Sequence, residues 1–536
     1  MKKKILVSTV LSLALLAFAG CSGAGDKGSA AEKTEIAKTG FPIVEEQMEM
    51  TMMIPSGKIP YTENGSAKKL AEMSNIKFKY TEVPDSDFYV KMQLAFASND
   101  LPDVLYGAGY HLKNIRQIEY GNQGLLLPLE ELIPEYAPNL NKLLEEYPEI
   151  KKSITSPDGH IYALPRIFTE KDSVPVYISP LWYNNDWLED LGVTELPKTT
   201  DELYTLLSDF KTYYKEKENR DVIPFSGGNG LLVLRTWLLP SFNIKTQGIE
   251  EKNGKVRFAP ASQDYLAYLT YMNKLFSEGL LDKEIFSQSY DTFTAKVQND
   301  QVGLFEAFQS NGVTGKSVEE AIKDPMFHPV TSDVNKEFLT PGHPRIVSGA
   351  FAITKNNPSP EAAMRWVDYL YTNEGSDLIN VGPEGEFWEY TTNDAGEKVR
   401  IFAGDDVNKM EESRGDVALD YGFNAPGLQL DIKDDVRADK NEENILKDFF
   451  FEEVRNKILK YEEVPFPIMH LTEEENQEVA DLMTDINLLV EQAEAKFITG
   501  TDPLSEYDKY VETLEKMGLK KVEEIYQTAY DRFAKN

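Results

Sequence analysis

Apolar and polar residues alternate along most of the chain with two different periods, which predict helices and strands in turn. The stretch KMQLAFAS has the period of an amphipathic helix that ends near Ser98, and the apolar residues after the next turn predict a buried strand over Asp103–Tyr106. The loop Gly107–Gly109 follows at the carboxyl end of that strand. This alternation is typical of an α/β sheet protein, in which ligands bind at the carboxyl ends of strands.

Helix start and stop signals are clear in later parts of the chain. Thr199 with Glu202, and Thr472 with Glu475, have the spacing of capping boxes, in which the two side chains satisfy backbone N–H groups of the first turn. Gly500 is expected to end the helix that starts after Thr472. The apolar face predicted for this helix consists of Val479, Leu482, Met483, Ile486, Leu489, Val490, Ala493 and Phe497.

The first residues have the pattern of a secretion signal. Lys2–Lys4 precede the apolar run Ile5–Ala19, which is shorter than the roughly 20 residues that a membrane span requires. Cys21 is the only cysteine of the chain, and the small residues before it resemble a bacterial lipobox, in which the sulfur carries a diacylglycerol. We predict a signal peptide over residues 1–20 and a lipidated flexible tether over 21–40; a thiol buried in an uncleaved helix is the alternative.

Composition adds size and charge to this picture. The full chain of 536 residues is 41% hydrophobic, which is typical of a globular protein. The roughly 515 residues that remain after signal cleavage are enough for two large lobes that each have a core. Acidic residues outnumber basic ones by 89 to 56, and the net charge of −33 repels polyphosphates, which argues against nucleic-acid binding. The same charge disfavours anionic lipid headgroups and fits a neutral or cationic ligand, although solubility alone also explains it.

Enzyme motifs are incomplete. The stretch Gly312–Ser317 (GVTGKS) resembles a phosphate-binding loop, but Ser310 stands where that motif requires its first glycine. The five histidines are scattered and no calcium-loop spacing occurs, so no metal site or nucleophile is predicted. A carboxylate pair for glycoside hydrolysis stays open, because 89 acidic residues make chance pairs certain.

The aromatic residues are more informative, because sugars stack flat C–H faces on rings and bond carboxylates and amides through their hydroxyls. Trp187 and Trp366 lie on the apolar stripes of predicted helices and are expected in the core. Trp388, among the turn residues GPEGEFWEY, either stacks on a ligand or fixes the segment 376–470 to its lobe. The aromatic candidates for ligand contact are Tyr110, Trp182, Trp237, Phe308 and Trp388.

Several motifs together resemble one family. The chain is similar to extracellular solute-binding protein family 1, the substrate-binding lipoproteins of carbohydrate ABC importers, in the order of its motifs. These motifs are LAFASNDLPDV (Leu94–Val104), DGHIYALP (Asp158–Pro165), LWYNNDWLEDLG with PKTTDEL (Leu181–Leu203) and GAFAITKNNPSPEAAMRWVDYL (Gly349–Leu370). The stretch VGPEGEFWEY (Val381–Tyr390) and the C-terminal residues resemble a branch of large lipoproteins from Gram-positive bacteria.

The resemblance implies a type II periplasmic-binding-protein fold, with two α/β lobes, a hinge and an interlobe cleft. It places chain crossings near Ile167–Val174, Gly303–Phe308 and Val347–Ala352. One lobe would then hold residues 41–168 and 304–350, and the other 169–303 and 351–536. Hinge closure around the ligand is the motion expected of this arrangement.

The function that the resemblance implies is binding without catalysis. The protein would be a monomer, lipid-anchored on the extracellular face of the cell membrane. It would capture an oligosaccharide and deliver it to ABC transporter permease subunits without a cofactor. Family ligand positions match Tyr110 and His111, Trp237 and Phe308, whereas Gly107 stands where the family often has a tryptophan. A surface-anchored glycosidase is the alternative.

Overall fold

Two β-sheets, each with its own hydrophobic core, form the centre of the described chain in the computed structural model. The structure describes residues 35–57, 59–168, 179–385, 388–392, 398–402, 427–429 and 442–535. The predicted signal peptide, Cys21 and most of the predicted tether lie outside these residues, as do residues 169–174 of the expected first crossing. Residues 36–536 form one compact unit.

The strands are Met48–Pro55 (β1), Ile76–Val83 (β2), Val104–Tyr106 (β3), Leu164–Phe168 (β4), Leu181–Tyr183 (β5), Ile223–Ser226 (β6), Ile249–Lys252 (β7), Lys255–Phe258 (β8), Val302–Glu306 (β9), Thr340–Pro341 (β10), Ile346–Ile353 (β11), Trp388–Thr392 (β12), Lys398–Phe402 (β13), Gly427–Gln429 (β14) and Glu462–Glu463 (β15).

The helices are Gly65–Ser74 (α1), Asp85–Ser98 (α2), Asn114–Asn122 (α3), Ile133–Tyr136 (α4), Pro138–Glu146 (α5), Pro148–Ile154 (α6), Asn185–Leu191 (α7), Thr200–Glu218 (α8), Leu232–Leu238 (α9), Gln263–Ser277 (α10), Tyr290–Gln298 (α11), Asn311–Thr314 (α12), Val318–Ala321 (α13), Pro360–Asp368 (α14), Asn373–Val381 (α15), Glu442–Lys457 (α16), Glu473–Thr499 (α17), Tyr507–Lys516 (α18) and Leu519–Lys535 (α19).

The larger sheet has six strands in the order β14-β4-β11-β3-β1-β2. Strand β1 pairs in parallel with β2 and β3, and β11 runs antiparallel between β3 and β4. The carboxyl ends of β1 and β3 therefore lie at the same edge as the amino end of β11. The predicted strand over Asp103–Tyr106 is confirmed as β3, and the preceding helix ends at Ser98 as expected.

The smaller sheet has three strands in the order β5-β9-β6. Strand β9 runs parallel to β6 and antiparallel to β5, with Leu181 opposite Glu306. The carboxyl ends of β6 and β9 and the amino end of β5 consequently meet at one edge. Strands β7 and β8 form a separate antiparallel hairpin.

Each sheet is covered by helices that bury large aromatic side chains. Trp366 of α14 packs in the core of the larger sheet, with its ring 5.0 Å from Phe78 and 5.8 Å from Tyr106 between centroids. Trp187 of α7 packs in the core of the smaller sheet, 5.3 Å from Phe210. Both tryptophans are buried, so the prediction that they are core residues is confirmed.

The two predicted capping boxes are present. Thr199 and Glu202 exchange side-chain and backbone hydrogen bonds at the start of α8, and Thr472 and Glu475 do so at the start of α17. Helix α17 ends at Gly500, whose φ of 74° is the left-handed conformation that glycine tolerates. Of the predicted apolar face, the buried residues are Val479, Ile486, Val490, Ala493 and Phe497.

The chain passes between the sheets at places that differ from two of the expected crossings. Gly303–Phe308 was expected to cross, but β9 pairs on both sides within the smaller sheet, and the chain from Val313 to Val330 packs in that sheet's core. Val347–Ala352 lies inside β11, between two strands of the larger sheet, and α14 covers the same core. The expected assignment therefore requires correction for two parts: residues 304–330 belong with the smaller sheet, and residues 351–381 belong with the larger sheet. The C-terminal helices α16 to α19 contribute to the core of the smaller sheet, as the expected assignment had them.

The C-terminal helices contact the layers around both sheets. Helix α17 packs on α10 of the smaller sheet, and its first residue, Glu473, accepts a hydrogen bond of 3.2 Å from Asn122 of α3 beside the larger sheet. Glu523 of α19 accepts from the Phe258 amide at 2.8 Å. Within the described ranges, the helices include none with the length and apolar character needed to cross a bilayer.

Candidate functional site

The first candidate surface is the edge of the larger sheet where β3 ends. Gly107 has a φ of 68°, and its amide donates a 2.8 Å hydrogen bond to Ala350 of β11. Gly349, with a φ of 76°, packs so closely on the loop that a Cβ atom there would collide with the Leu112 carbonyl oxygen. This close approach requires glycine and fixes the loop that presents Tyr110, whose surface is 66% exposed.

His111 is held beside Tyr110 rather than projected from the surface. Its Nε2 lies 2.9 Å from the Asp85 carboxylate, and its ring centroid is 4.9 Å from that of the buried Phe88. The imidazole is therefore mostly covered, and it fixes the loop against the start of α2. Of the two predicted residues at this edge, Tyr110 has the free ring face.

The second candidate surface is the edge of the smaller sheet where β9 ends. Phe308, just beyond β9, is 56% exposed, and its ring stacks on Phe450 of α16 with centroids 5.1 Å apart and planes 28° apart. Phe450 is itself buried. The buried ring orients the exposed one, so Phe308 presents a fixed aromatic face to solvent.

Trp182 and Trp237 are buried behind this edge and bond backbone carbonyls there. Trp182 of β5 is only 1% exposed, and its indole N–H donates a 2.9 Å hydrogen bond to the Ala307 carbonyl. Trp237 of α9 is buried and donates a 2.8 Å bond to the carbonyl of Ser179, just before β5. The Trp182 indole therefore positions the residue before Phe308, and the Trp237 indole positions the residues before β5. Both rings are buried, so neither has a face free for stacking.

Glu306, the last residue of β9, is a polar residue of this edge that the sequence patterns did not single out. It is fully buried, and its Oε1 accepts hydrogen bonds from the Asn229 amide at 3.0 Å and side chain at 2.8 Å. Burial raises the pKa of Glu306 above its ordinary value. The sequence feature that could have identified Glu306 is an acidic residue inside the otherwise apolar run VGLFEAF, which is unusual for a buried strand.

The Glu306 carboxylate fixes the loop that follows β6. Asn229 belongs to that loop, and its neighbour Gly228 packs directly under the ring of Tyr290. Tyr290 is about half exposed, and burial together with the nearby Glu306 raises its pKa. Tyr290 therefore places a second partly exposed ring above the loop that Glu306 holds.

Trp388 lies elsewhere, on the helices outside the larger sheet. It is 3% exposed, its indole donates a 2.9 Å bond to the Gly382 carbonyl, and Tyr390 packs perpendicular to its ring at 4.9 Å. It forms part of the wall of a cavity of about 470 Å³ with residues of α1 and α15, such as Met73 and Leu378. Trp388 thus lies against α1 and α15, and the ligand contact expected of it stays a prediction.

The structure thus divides the six predicted residues into three groups. Tyr110 and His111 share the edge of the larger sheet; Trp182, Trp237 and Phe308 share the edge of the smaller sheet; Trp388 is apart from both. In the part of the chain that is described, His, Cys, Asp and Glu side chains form no group of three that could hold a metal ion. Lys316 of the stretch GVTGKS forms an ion pair with Asp324 at 2.8 Å, so its ammonium group already has a partner within the fold.

Residues 60–377 match the family of bacterial extracellular solute-binding proteins. The fructooligosaccharide ABC transporter substrate-binding protein FusA of Streptococcus pneumoniae serotype 4 is 26% identical over 99% of this chain and 98% of its own length. The polygalacturonan/rhamnogalacturonan-binding protein YtcQ of Bacillus subtilis is 23% identical over 86% of this chain and 87% of its own length.

A solved structure shares the fold across nearly the whole chain. The S. pneumoniae FusA structure in complex with kestose aligns with a TM-score of 0.70 and 25% identity, covering 91% of this chain and all of that one.

Proposed function

The chain belongs to the family of bacterial extracellular solute-binding proteins, and from this premise we propose that it captures a carbohydrate, in particular an oligosaccharide, and delivers it to an ABC transporter. The full-length similarity to a fructooligosaccharide-binding transporter component supports a sugar as the ligand. Similarity to a polygalacturonan-binding protein supports a ligand of several linked sugars.

The observation that carries this proposal is the exposed aromatic face at the edge of the smaller sheet. The Phe308 ring is free on one side and stacked on Phe450 on the other, so a sugar face can pack on it without a rearrangement of the ring. The buried Glu306 at the end of the same strand holds the exposed Asn229 of the loop after β6. An aromatic plane beside an exposed amide is a combination that sugar sites use.

The Tyr110 loop at the edge of the larger sheet is the proposed opposite wall. Each sheet and its helices would act as one lobe, and closure around the ligand would bring Tyr110 and Phe308 toward the same oligosaccharide. His111, Trp182 and Trp237 would hold the two walls in shape through the contacts described above.

We propose a binding role without turnover, in which the protein acts as a monomer with the permease subunits of its transporter. The test is a glycan panel that includes kestose, other fructooligosaccharides and galacturonan oligosaccharides, measured by calorimetry and by product analysis after long incubation. Binding with the sugar recovered intact supports the proposal. Release of shorter sugars would make the protein a glycosidase, and failure to bind any glycan would contradict the carbohydrate assignment.

The proposed location is the extracellular face of the cell membrane, where a lipid on Cys21 would anchor the mature chain. The support is the sequence alone, namely the basic and apolar residues before the cysteine. Cys21→Ser should leave the protein uncleaved or shed into the medium. A variant that fractionates and migrates like the parent protein would contradict the anchor.

A further inference from the structure

A cavity of about 490 Å³ lies between helix α6 and the C-terminal helix α19. None of the proposed carbohydrate contacts lines it. Three basic residues line it: Lys151 and Lys152 from α6, and Arg532 from α19. None of its lining residues is acidic, although the chain has 89 acidic residues and a net charge of −33. This basic cavity thus has the opposite sign of charge from the molecule as a whole.

The lysines carry the unneutralised charge of the basic cavity. The Arg532 guanidinium is held by Glu475, at 2.7 and 3.2 Å from the two carboxylate oxygens. Lys151 and Lys152 have no ion-pair partner among the residues that the structure describes. The cavity therefore contains a fixed guanidinium and two ammonium groups free to bind an added anion.

His470 adds a buried polar group to the same wall. It is 4% exposed, and its Nδ1 lies 3.5 Å from the Ser156 hydroxyl, which also lines the cavity. Its Nε2 has no hydrogen-bond partner in the described chain. A buried ring nitrogen without a partner is costly, so the wall of the cavity includes an unsatisfied polar atom.

We propose that the basic cavity binds a phosphate group, carried either by a small soluble molecule or by a lipid headgroup. A phosphate offers several oxygens to the two ammonium groups and to the guanidinium, in the charge-assisted geometry that basic side chains favour. Phe533 and Met469 line the same cavity and supply apolar surface for the rest of the molecule. This site goes beyond carbohydrate capture and does not depend on it.

The alternative explanation for the lysines is local. Both stand in the last turn of α6, where a positive charge interacts favourably with the negative end of the helix dipole. A purely local role would change the stability of the helix end and leave phosphate binding unaffected. The two explanations therefore give different results in one experiment.

The experiment titrates inorganic phosphate into the full mature chain by calorimetry at pH 7.5 and fixed ionic strength, with chloride as the reference anion. The Lys151→Gln/Lys152→Gln variant should bind phosphate about tenfold or more weakly. The Lys91→Gln/Lys142→Gln variant removes the same charge from two exposed helix lysines and should bind like the parent protein. Melting curves of both variants confirm that they fold.

A second arm separates the two sources of phosphate. Flotation with phosphatidylglycerol vesicles, compared with phosphatidylcholine vesicles, detects binding to a lipid headgroup. Phosphate or phosphatidylglycerol binding that the Lys151/Lys152 variant loses and the control keeps supports the site. If the parent protein binds neither phosphate nor phosphatidylglycerol, or if the parent and the Lys151/Lys152 variant bind equally, the proposal is overturned.

Discussion

Two aromatic rings that meet at Phe450 show how different roles arise from one residue class. The Phe308 ring lies over Phe450 with one face in solvent, whereas Trp182 contacts Phe450 from inside the core and bonds the Ala307 carbonyl. A ligand can reach the first ring and cannot reach the second. Exposure of one face, rather than aromatic character, therefore distinguishes a candidate contact from a supporting residue.

Phe308→Ala should weaken ligand binding, whereas Trp388→Ala should lower the stability of the fold. Loss of the exposed Phe308 ring is expected to weaken oligosaccharide binding by about 1–3 kcal/mol with little change in the free energy of unfolding. Loss of the buried Trp388 is expected to lower the free energy of unfolding by about 3–5 kcal/mol, with affinity retained below the melting temperature. Calorimetry and urea denaturation on both variants measure these effects.

Each variant serves as the control for the other. If Phe308→Ala binds like the parent protein, the proposed stacking surface is wrong. Lost affinity in a stable Trp388→Ala protein would instead show that the cavity beside Trp388 belongs to the carbohydrate site.

His470 should make the stability depend on pH. Burial lowers its pKa from 6.5 to about 4, so the folded protein keeps the ring neutral where the unfolded chain takes up a proton. The stabilisation is present above pH 6.5 and is lost as the pH falls from 6.5 toward 4. His470→Gln should remove this loss, on the order of 3 kcal/mol, when unfolding free energies are compared between pH 7 and 4. Parallel pH curves for the two proteins would contradict the effect.

At the scale of elements, helix α17 joins the layers of both sheets. It packs on α10, and its first turn bonds Asn122 of α3. The Thr472–Glu475 capping box defines where this helix begins, and Glu475 also binds Arg532 of α19. The helix start is therefore connected to both the larger sheet and the C-terminus.

Thr472→Ala should lower the free energy of unfolding by about 1 kcal/mol, because the Glu475 amide loses its acceptor. Thr484→Ala is a matched control in the middle of the same helix, where the exposed hydroxyl bonds only the Ala480 carbonyl. It should change stability by less than about 0.5 kcal/mol. Equal effects of the two changes in urea denaturation would assign the cost to the helix interior rather than to the cap.

At the scale of the whole molecule, the two sheets have separate cores, and the chain passes from one to the other between β4 and β5, between β9 and β11 and between β14 and α16. Separate cores allow each sheet to move with its helices as a unit, and closure needs a difference in ligand affinity of only a few kcal/mol between the open and closed states. Binding of an oligosaccharide is therefore expected to make the molecule more compact.

Small-angle scattering should show a lower radius of gyration at saturation with an oligosaccharide that calorimetry has shown to bind. Because Phe308→Ala weakens binding, it should need a higher sugar concentration for the same compaction. An unchanged radius at full saturation would contradict closure without contradicting sugar binding.

The sequence by itself determined the local elements of this protein. The capping boxes at Thr199 and Thr472 and the end of α17 before Gly500 follow from interactions within a few residues, so spacing was enough to predict them. The family resemblance added the architecture, and residues 60–377 match that family.

Only the tertiary structure decided which sheet each strand joins and which rings stay exposed. Strands β9 and β11 are both largely apolar, and nothing in either sequence identifies its partner strands. In the structure β9 pairs with β5 and β6, and β11 pairs with β3 and β4. Trp388 and Phe308 both follow turn or strand-end signals, yet Trp388 is buried beside Tyr390 whereas Phe308 has one face exposed. Pairing and burial depend on residues distant in sequence, so a local pattern could not determine them.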